Sequence, residues 1–314
     1  MSNFTRPLKT IFAGTPEFAK PYLLALLSDS DFDVMGIITQ TDKPLGRSQE
    51  LTMPIIKQVA LDYSLKIWQP EILKISDHII DEISSLKPDI LVVVAYGQII
   101  PKKLLDIFEK GCFNVHPSLL PLYRGASPIQ NALLNGDSET GITIMLMDEK
   151  MDHGDILAVK KINLTGEETN KSLHHDLALD GAPLLLKTIK DYCLGNLKSQ
   201  PQDDSLATFC QLIKKDDGRI SWSLPAKKIK DQINALHPWP GTWTTLAGQR
   251  LKIFPPVKII DKNGSLGLAE LIDNEMVVYC GQEALIIEKL QLSGKNPTSA
   301  QDFFRGQKQA IKFE

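Results

Sequence analysis

The chain has 314 residues, 43% of them hydrophobic, and carries a formal net charge of −3. That length suits two domains and supplies a sizeable core, and the charge marks no obvious nucleic-acid binder. The charge is uneven: residues 207–314 hold 15 basic and 11 acidic side chains, a balance of +4, which leaves −7 for the rest. A mildly basic C-terminal third is compatible with a module that touches phosphate, and equally with chance variation of a solvated surface.

Cys112, Cys193, Cys210 and Cys280 lie far apart without a Cys-x-x-Cys pair, so neither a zinc site nor a disulfide framework is expected. Reduced thiols fit a cytoplasmic protein. The N-terminus lacks the apolar core of a signal peptide. The longest apolar stretch, Ile90 to Ala95, has the length of a strand and falls well short of the roughly 20 residues of a membrane span.

In chain order, LKTIFAG reads as a strand and PEFAKPYLLALLSD as an amphipathic helix opening on proline. DVMGIIT is a second strand, and the polar loop QTDKPLGRSQELTM leads to the helix PIIKQVALDYS. LKIWQP is a short strand, SDHIIDEISSL a helix, DILVVVA a central strand, PKKLLDIF a helix and GCFNV a further strand. Nearly all-apolar strands alternating with helices predict a doubly wound, Rossmann-like, mostly parallel sheet. After Gly141 two strands, GITIMLMD and DILAVKKINL, precede one long helix. From about Ala207 short strands and turns such as KDDGR, DKNG and YCGQ predict a smaller C-terminal β-barrel of OB-like type. The expected domains are 1–192, a linker at 193–206, and 207–314. No internal repeat or low-complexity segment is visible.

GTPEF at Gly14 follows the first strand, but it is neither G-x-G-x-x-G nor a P-loop, so it argues for a tight backbone turn and against a dinucleotide or ATP site. The segment NVHPSLLPLYRGASP from Asn114 to Pro128 is more informative. Asn114 and His116 have the two-residue spacing that puts side chains on one face of a strand, and Pro117 biases His116 toward an extended conformation. An amide and an imidazole at a strand's carboxyl end can donate to one oxygen that gains charge. A capping Asn and a structural His remain the alternative. Asp152, in MDHGD, can orient the imidazole or take a proton, or can be an ordinary turn aspartate beside Gly154. His153 and the two aspartates would need a second ligand cluster to hold a metal, and none is present, so no metal is expected. Asn, His and Asp without a Ser or Cys nucleophile fit group transfer to an amine better than a covalent acyl-enzyme. HPWPGTW, from His237 to Trp243, reads as a structural corner or as a stacking surface.

FAGTPEFA, TQTDKPLGR, VVVAYGQIIP, NVHPSLLPLYRGASPIQNALLNGD, TGITIMLMDEKMDHGDIL and HPWPGTW, in this order, resemble the bacterial methionyl-tRNA formyltransferases, of the 10-formyltetrahydrofolate-dependent formyltransferase family. The resemblance covers nearly the whole chain. It implies a catalytic trio of Asn114, His116 and Asp152, a folate segment of Ser118, Leu119, Leu120 and Pro121, and a pterin side of Tyr96, Gly97 and Ile99. It implies that the loop Thr39–Met53 meets the acceptor end of initiator methionyl-tRNA, with Lys43 and Arg47 as contacts, and that the C-terminal barrel meets the tRNA backbone. The co-substrate would be 10-formyltetrahydrofolate, and the protein a monomer without membrane contact. Departures are Ser48, Gln49 and Glu50, where the family is usually more basic, and His153, where a Thr is usual. A formyltransferase acting on a small amine and a non-enzymatic folate- or RNA-binding protein are the rival expectations.

Overall fold

The computed structural model describes residues 4–45, 50–306 and 310–314. The chain divides into two compact units, Met1–Gly125 with Gly141–Lys161 and His174–Phe209, and Ala126–Thr140 with Ile162–Leu173 and Cys210–Glu314. In chain order the elements through the first long helix are β1 (Leu8–Gly14), α1 (Lys20–Ser28), β2 (Phe32–Ile38), β3 (Lys43–Leu45), β4 (Glu50–Thr52), α2 (Ile55–Asp62), β5 (Lys66–Trp68), α3 (Asp77–Ser85), β6 (Ile90–Val94), α4 (Lys102–Leu105), β7 (Cys112–His116), β8 (Arg124–Gly125), α5 (Pro128–Asn135), β9 (Glu139–Leu146), β10 (Ile156–Asn163) and α6 (Asn170–Cys193).

The first sheet has the order β10-β9-β7-β6-β1-β2-β5. The strands from β7 through β5 pair in parallel, whereas β9 joins β7 antiparallel, with His116 opposite Thr143. Residues of alternate parity on the central strands, Ile11 and Ala13 on β1, Leu91 and Val93 on β6, share a core with Ile79, Ile80 and Ile83 of α3. All five residues of β6 are buried, as expected of a parallel strand covered on both faces. Gly14, the last residue of β1, has no room for a Cβ: it would lie 2.9 Å from the Val94 carbonyl and 2.9 Å from Ala19 Cβ. The doubly wound sheet expected from the sequence is present.

Two helices are shorter than the patterns predict. PEFAKPYLLALLSD begins with a 3-10 turn, Glu17–Ala19, before α1, because Pro21 has no N–H to continue an α-helical ladder back to Glu17. PKKLLDIF keeps only the single turn of α4.

The second unit contains β12 (Thr242–Leu246), β13 (Gln249–Ile260), β14 (Leu268–Ile272), β15 (Glu275–Tyr279), β16 (Ala284–Leu292) and β18 (Ile311–Lys312), which form one antiparallel sheet in the order β12-β13-β16-β15-β14-β18; the short β17 (Thr298–Ser299) pairs with β16 off that path, and the two-residue β11 (Phe209–Cys210) precedes them all. The sheet curls until Thr245 exchanges backbone hydrogen bonds with Glu314 just beyond β18, at 3.2 and 3.0 Å. The barrel-like second module expected from the sequence is therefore present. Its core is covered by α7 (Ala226–Ala235), where Ala226, Ile229 and Ile233 recur at helical spacing and are buried against Leu251, Val278 and Leu285. No helix among the described residues is long and apolar enough to cross a membrane.

Candidate active site

Cys112, Asn114 and His116 share the parity of one face of β7, and all five residues of that strand are buried. Asn114 is 8% and His116 4% exposed. Buried polar groups of this kind must find partners. His116 Nε2 lies 2.9 Å from the carbonyl oxygen of Tyr123. A carbonyl only accepts, so Nε2 carries the hydrogen and donates, which leaves Nδ1 facing the site.

The segment after β7 is tied to itself and to β9. The Ser118 N–H donates to the His116 carbonyl and its hydroxyl to the Leu122 carbonyl, at 2.9 and 2.6 Å. Thr143 Oγ1 donates to the Ser118 carbonyl at 2.7 Å and accepts from the Leu120 N–H at 3.1 Å. The loop that carries the Tyr123 carbonyl is thus held from both sides, which fixes the imidazole in turn.

Asp152 arrives from the turn between β9 and β10. Its φ of +51° lies in the left-handed region, a conformation a non-glycine residue adopts only when its surroundings enforce it. Asp152 Oδ2 accepts from the Gly125 N–H at 2.8 Å. Asp152 Oδ1 accepts from Asn114 Nδ2 at 3.4 Å and lies 3.6 Å from His116 Nδ1. The three side chains that the sequence singled out therefore meet at one carboxylate oxygen.

A second layer surrounds them. Gln202 Nε2 donates to the carbonyls of Asp152 and Gly154, at 2.9 and 2.8 Å. Gln202 Oε1 accepts from Arg124 Nε and Nη2, at 3.1 and 2.8 Å, and Nη2 also pairs with Asp204 Oδ1 at 2.8 Å. Arg124 is only 4% exposed, so these bonds are what makes its burial tolerable. That pairing holds the Asp204 carboxyl below its ordinary value. His153 spans the same segment, with Nδ1 2.6 Å from Asp148 Oδ2 and Nε2 3.3 Å from Asp204 Oδ2. Gln202, the Gly125 N–H and the Tyr123 carbonyl were not visible as functional groups in the sequence. Gln202 sits in the polar, proline-flanked stretch expected to be a linker, and nothing local marks it.

The remaining expected site residues are spread over the neighbouring strand ends. Ser118 and Leu120 are buried, and the Ser118 hydroxyl is spent within its own loop. Leu119 and Pro121 are half-buried. Tyr96 is buried, and its hydroxyl has no hydrogen-bond partner. Gly97 (φ +83°) is exposed, and a Cβ there would lie 2.4 Å from Gln40 Nε2. Ile99 is 74% exposed. Lys43 is exposed and its Nζ donates to Gln40 Oε1 at 2.5 Å, while Gln40 Nε2 donates to the Tyr96 carbonyl at 3.0 Å. Arg47 lies outside the described residues.

The thiol of Cys112, on the same strand face as Asn114 and His116, is pushed up to about 12 by burial, with a smaller contribution from Asp106. It stays protonated at neutral pH and is no nucleophile. Among the described residues no group of three or more His, Cys, Asp or Glu side chains is placed to hold a metal ion.

The family profile described as Formyl transferase matches residues 8–189, and that described as Formyl transferase, C-terminal domain, matches residues 212–308. The chain is 41% identical over 300 residues to the methionyl-tRNA formyltransferase of Geobacter metallireducens, covering 95% of this chain and 96% of that protein. It is 40% identical over 308 residues to the methionyl-tRNA formyltransferase of Pseudoalteromonas translucida, covering 96% and 95%. Among solved structures it is similar to WlaRD, described as a sugar 3N-formyl transferase, with a TM-score of 0.67 and 19% identity over 92% of this chain and 99% of that one. HypX from Aquifex aeolicus in complex with tetrahydrofolic acid superposes with a TM-score of 0.65 and 15% identity, over 95% of this chain and 47% of HypX, so this chain spans about half the length of HypX. At those identities the two structures speak for the fold alone.

Proposed function

This chain belongs to the formyl transferase family and formylates initiator methionyl-tRNA, and from that premise we propose that Asn114, His116 and Asp152 carry the transfer, with 10-formyltetrahydrofolate as donor. The observation that supports this most is the convergence of Asn114 Nδ2 and His116 Nδ1 on Asp152 Oδ1, at 3.4 and 3.6 Å. The Asn114 amide is a donor already in place for an oxyanion, and His116 Nδ1, free of hydrogen while Nε2 donates to the Tyr123 carbonyl, can join it as a donor once it has taken a proton.

In the proposed reaction the methionyl α-amine attacks the N10-formyl carbon. The carbonyl oxygen becomes an oxyanion, held by the Asn114 amide and by His116. Asp152 and His116 remove the proton from the attacking nitrogen. Collapse breaks the bond from carbon to N10, and N10 receives that proton. No acyl-enzyme is required, in keeping with a buried, protonated Cys112 on the strand face that carries Asn114 and His116.

The donor is expected to lie across Ser118, Leu119, Leu120 and Pro121, with its pterin beside Tyr96, Gly97 and Ile99. Lys43 and Arg47 are the proposed tRNA contacts of the loop. We keep residues 193–206 as the connector between a catalytic domain and a tRNA-contacting domain.

Steady-state formylation of charged initiator tRNA tests the assignment. Asn114→Ala, His116→Ala and Asp152→Ala should each lower kcat about 10²-fold or more while thermal unfolding stays near the parent value. Full activity in all three would remove these roles. Transfer to an amino sugar but not to methionyl-tRNA would show that the acceptor is a small amine.

A further inference from the structure

We propose that Gln202 is a positioning residue for the formyl transfer, acting through Asp152. The proposal rests on the role given above to Asp152.

The segment 199–204 runs along the turn that carries Asp152 and is bonded to it step by step. Ser199 Oγ donates to Asp155 Oδ2 at 2.7 Å. Gln200 and Ile156 exchange backbone hydrogen bonds, both 2.8 Å. Gln202 then reaches the turn itself, and its one amide nitrogen serves the carbonyls on either side of His153. A left-handed Asp152 gains nothing from its own backbone preference, which favours relaxation. Hydrogen bonds to the carbonyl of Asp152 itself and to that of Gly154, two residues on, oppose that relaxation.

The other end of Gln202 completes the device. Its oxygen is gripped by Arg124, whose chain neighbour Gly125 supplies the N–H that holds Asp152 Oδ2. One side chain therefore couples the strand-end loop that presents the Gly125 N–H to the turn that presents the carboxylate. Both the backbone of Asp152 and the N–H that orients its side chain depend on the same amide. When the amide is removed, Asp152 Oδ1 is free to drift from His116 Nδ1. Misplacement of about an ångström at a reacting group costs on the order of 10²-fold in rate.

Gln202→Glu is the sharpest test. It keeps the shape and the acceptors for Arg124 but has no N–H for the two carbonyls. The expected result is a fall in kcat of about 10- to 100-fold, with the KM for methionyl-tRNA and for the folate donor within about twofold of the parent. Placed on Asp152→Ala, the same change should cause no further loss, because both act on one carboxylate. Should Gln202→Glu fail to fold, Gln202→Met, uncharged and of similar volume, carries the same expectations. An unchanged kcat, or a loss of equal size in the Asp152→Ala background, would overturn the proposal. Full activity of Asp152→Ala alone would instead overturn the role of Asp152, so the two failures are distinguishable.

Discussion

The turn that carries Asp152 and the hairpin formed by β3 and β4 both lie in the first unit, and they are built in opposite ways. At the turn, the carboxylate oxygens and the flanking carbonyls all have partners, and the surrounding Asn114, His116 and Arg124 are nearly excluded from solvent. On the hairpin all three residues of β4 are exposed, Leu51 at 74%, and the exposed Lys43 side chain donates back to Gln40. Bond-making chemistry needs atoms held to within a fraction of an ångström, and that demands redundant hydrogen bonds. Reaching a large polyanion needs long side chains that keep their freedom until contact, and charge that acts over a Debye length.

The contrast can be broken from the turn side first. A Cβ on Gly154 would lie 2.0 Å from the Leu146 carbonyl, so Gly154→Ala must move the turn. We expect kcat to fall about 10- to 100-fold and stability to drop by about 1–3 kcal/mol, read from steady-state kinetics and urea unfolding. A silent Gly154→Ala would mean that the turn tolerates displacement and that its many bonds are incidental.

The hairpin side predicts a smaller and different effect. Lys43→Ala and Arg47→Ala should each raise the KM for methionyl-tRNA about 3- to 10-fold with kcat nearly unchanged. The slope of log affinity against log salt should flatten by about one for each phosphate that is no longer neutralised. A fall in kcat at constant KM would place these residues in the chemistry and erase the distinction.

The smallest effect on turnover is expected at the opposite ends of the strands. Asp89, just before β6, accepts from Arg6 Nη1 and Nη2 at 2.6 and 2.8 Å and from the Lys9 N–H at 2.8 Å. Burial alone would raise its pKa, but those bonds and the Arg6 charge together hold it below its ordinary value. A depressed carboxyl contributes stability that is full above its unfolded value of about 3.9 and fades as pH falls through the folded value. Asp89→Asn should therefore cost about 1 kcal/mol at pH 7 and progressively less in acid, with kcat within twofold of the parent. A pH-independent cost would disprove the electrostatic origin.

How much of this could be read from the sequence depends on the range of the interaction. The strand-helix alternation, the all-apolar β6 and the shared face of Asn114 and His116 are local patterns with a fixed period, and they were legible as such. Asp152 was marked by its neighbours in MDHGD and by the family resemblance. Gln202 was not, because its partners Arg124, Asp152 and Gly154 lie 78, 50 and 48 residues away and impose no local pattern. The place of Arg124 likewise rests on distant partners, Gln202 and Asp204, 78 and 80 residues away. The helix expected over PKKLLDIF stopped after one turn, an outcome that periodicity alone does not decide.

The course of residues 199–204 along the Asp152 turn bears on where the first unit ends. The Formyl transferase profile stops at residue 189, and α6 ends at Cys193, yet Gln202 and Asp204 lie beyond both. A protease nick between Leu194 and Lys198 would spare every strand of the first sheet and still cut the covalent tie of those two side chains to it. Inheritance of the fold and inheritance of the intact turn would then be separate events, because a gene fragment cut at the last helix would encode the sheet without the residues that brace the Asp152 turn.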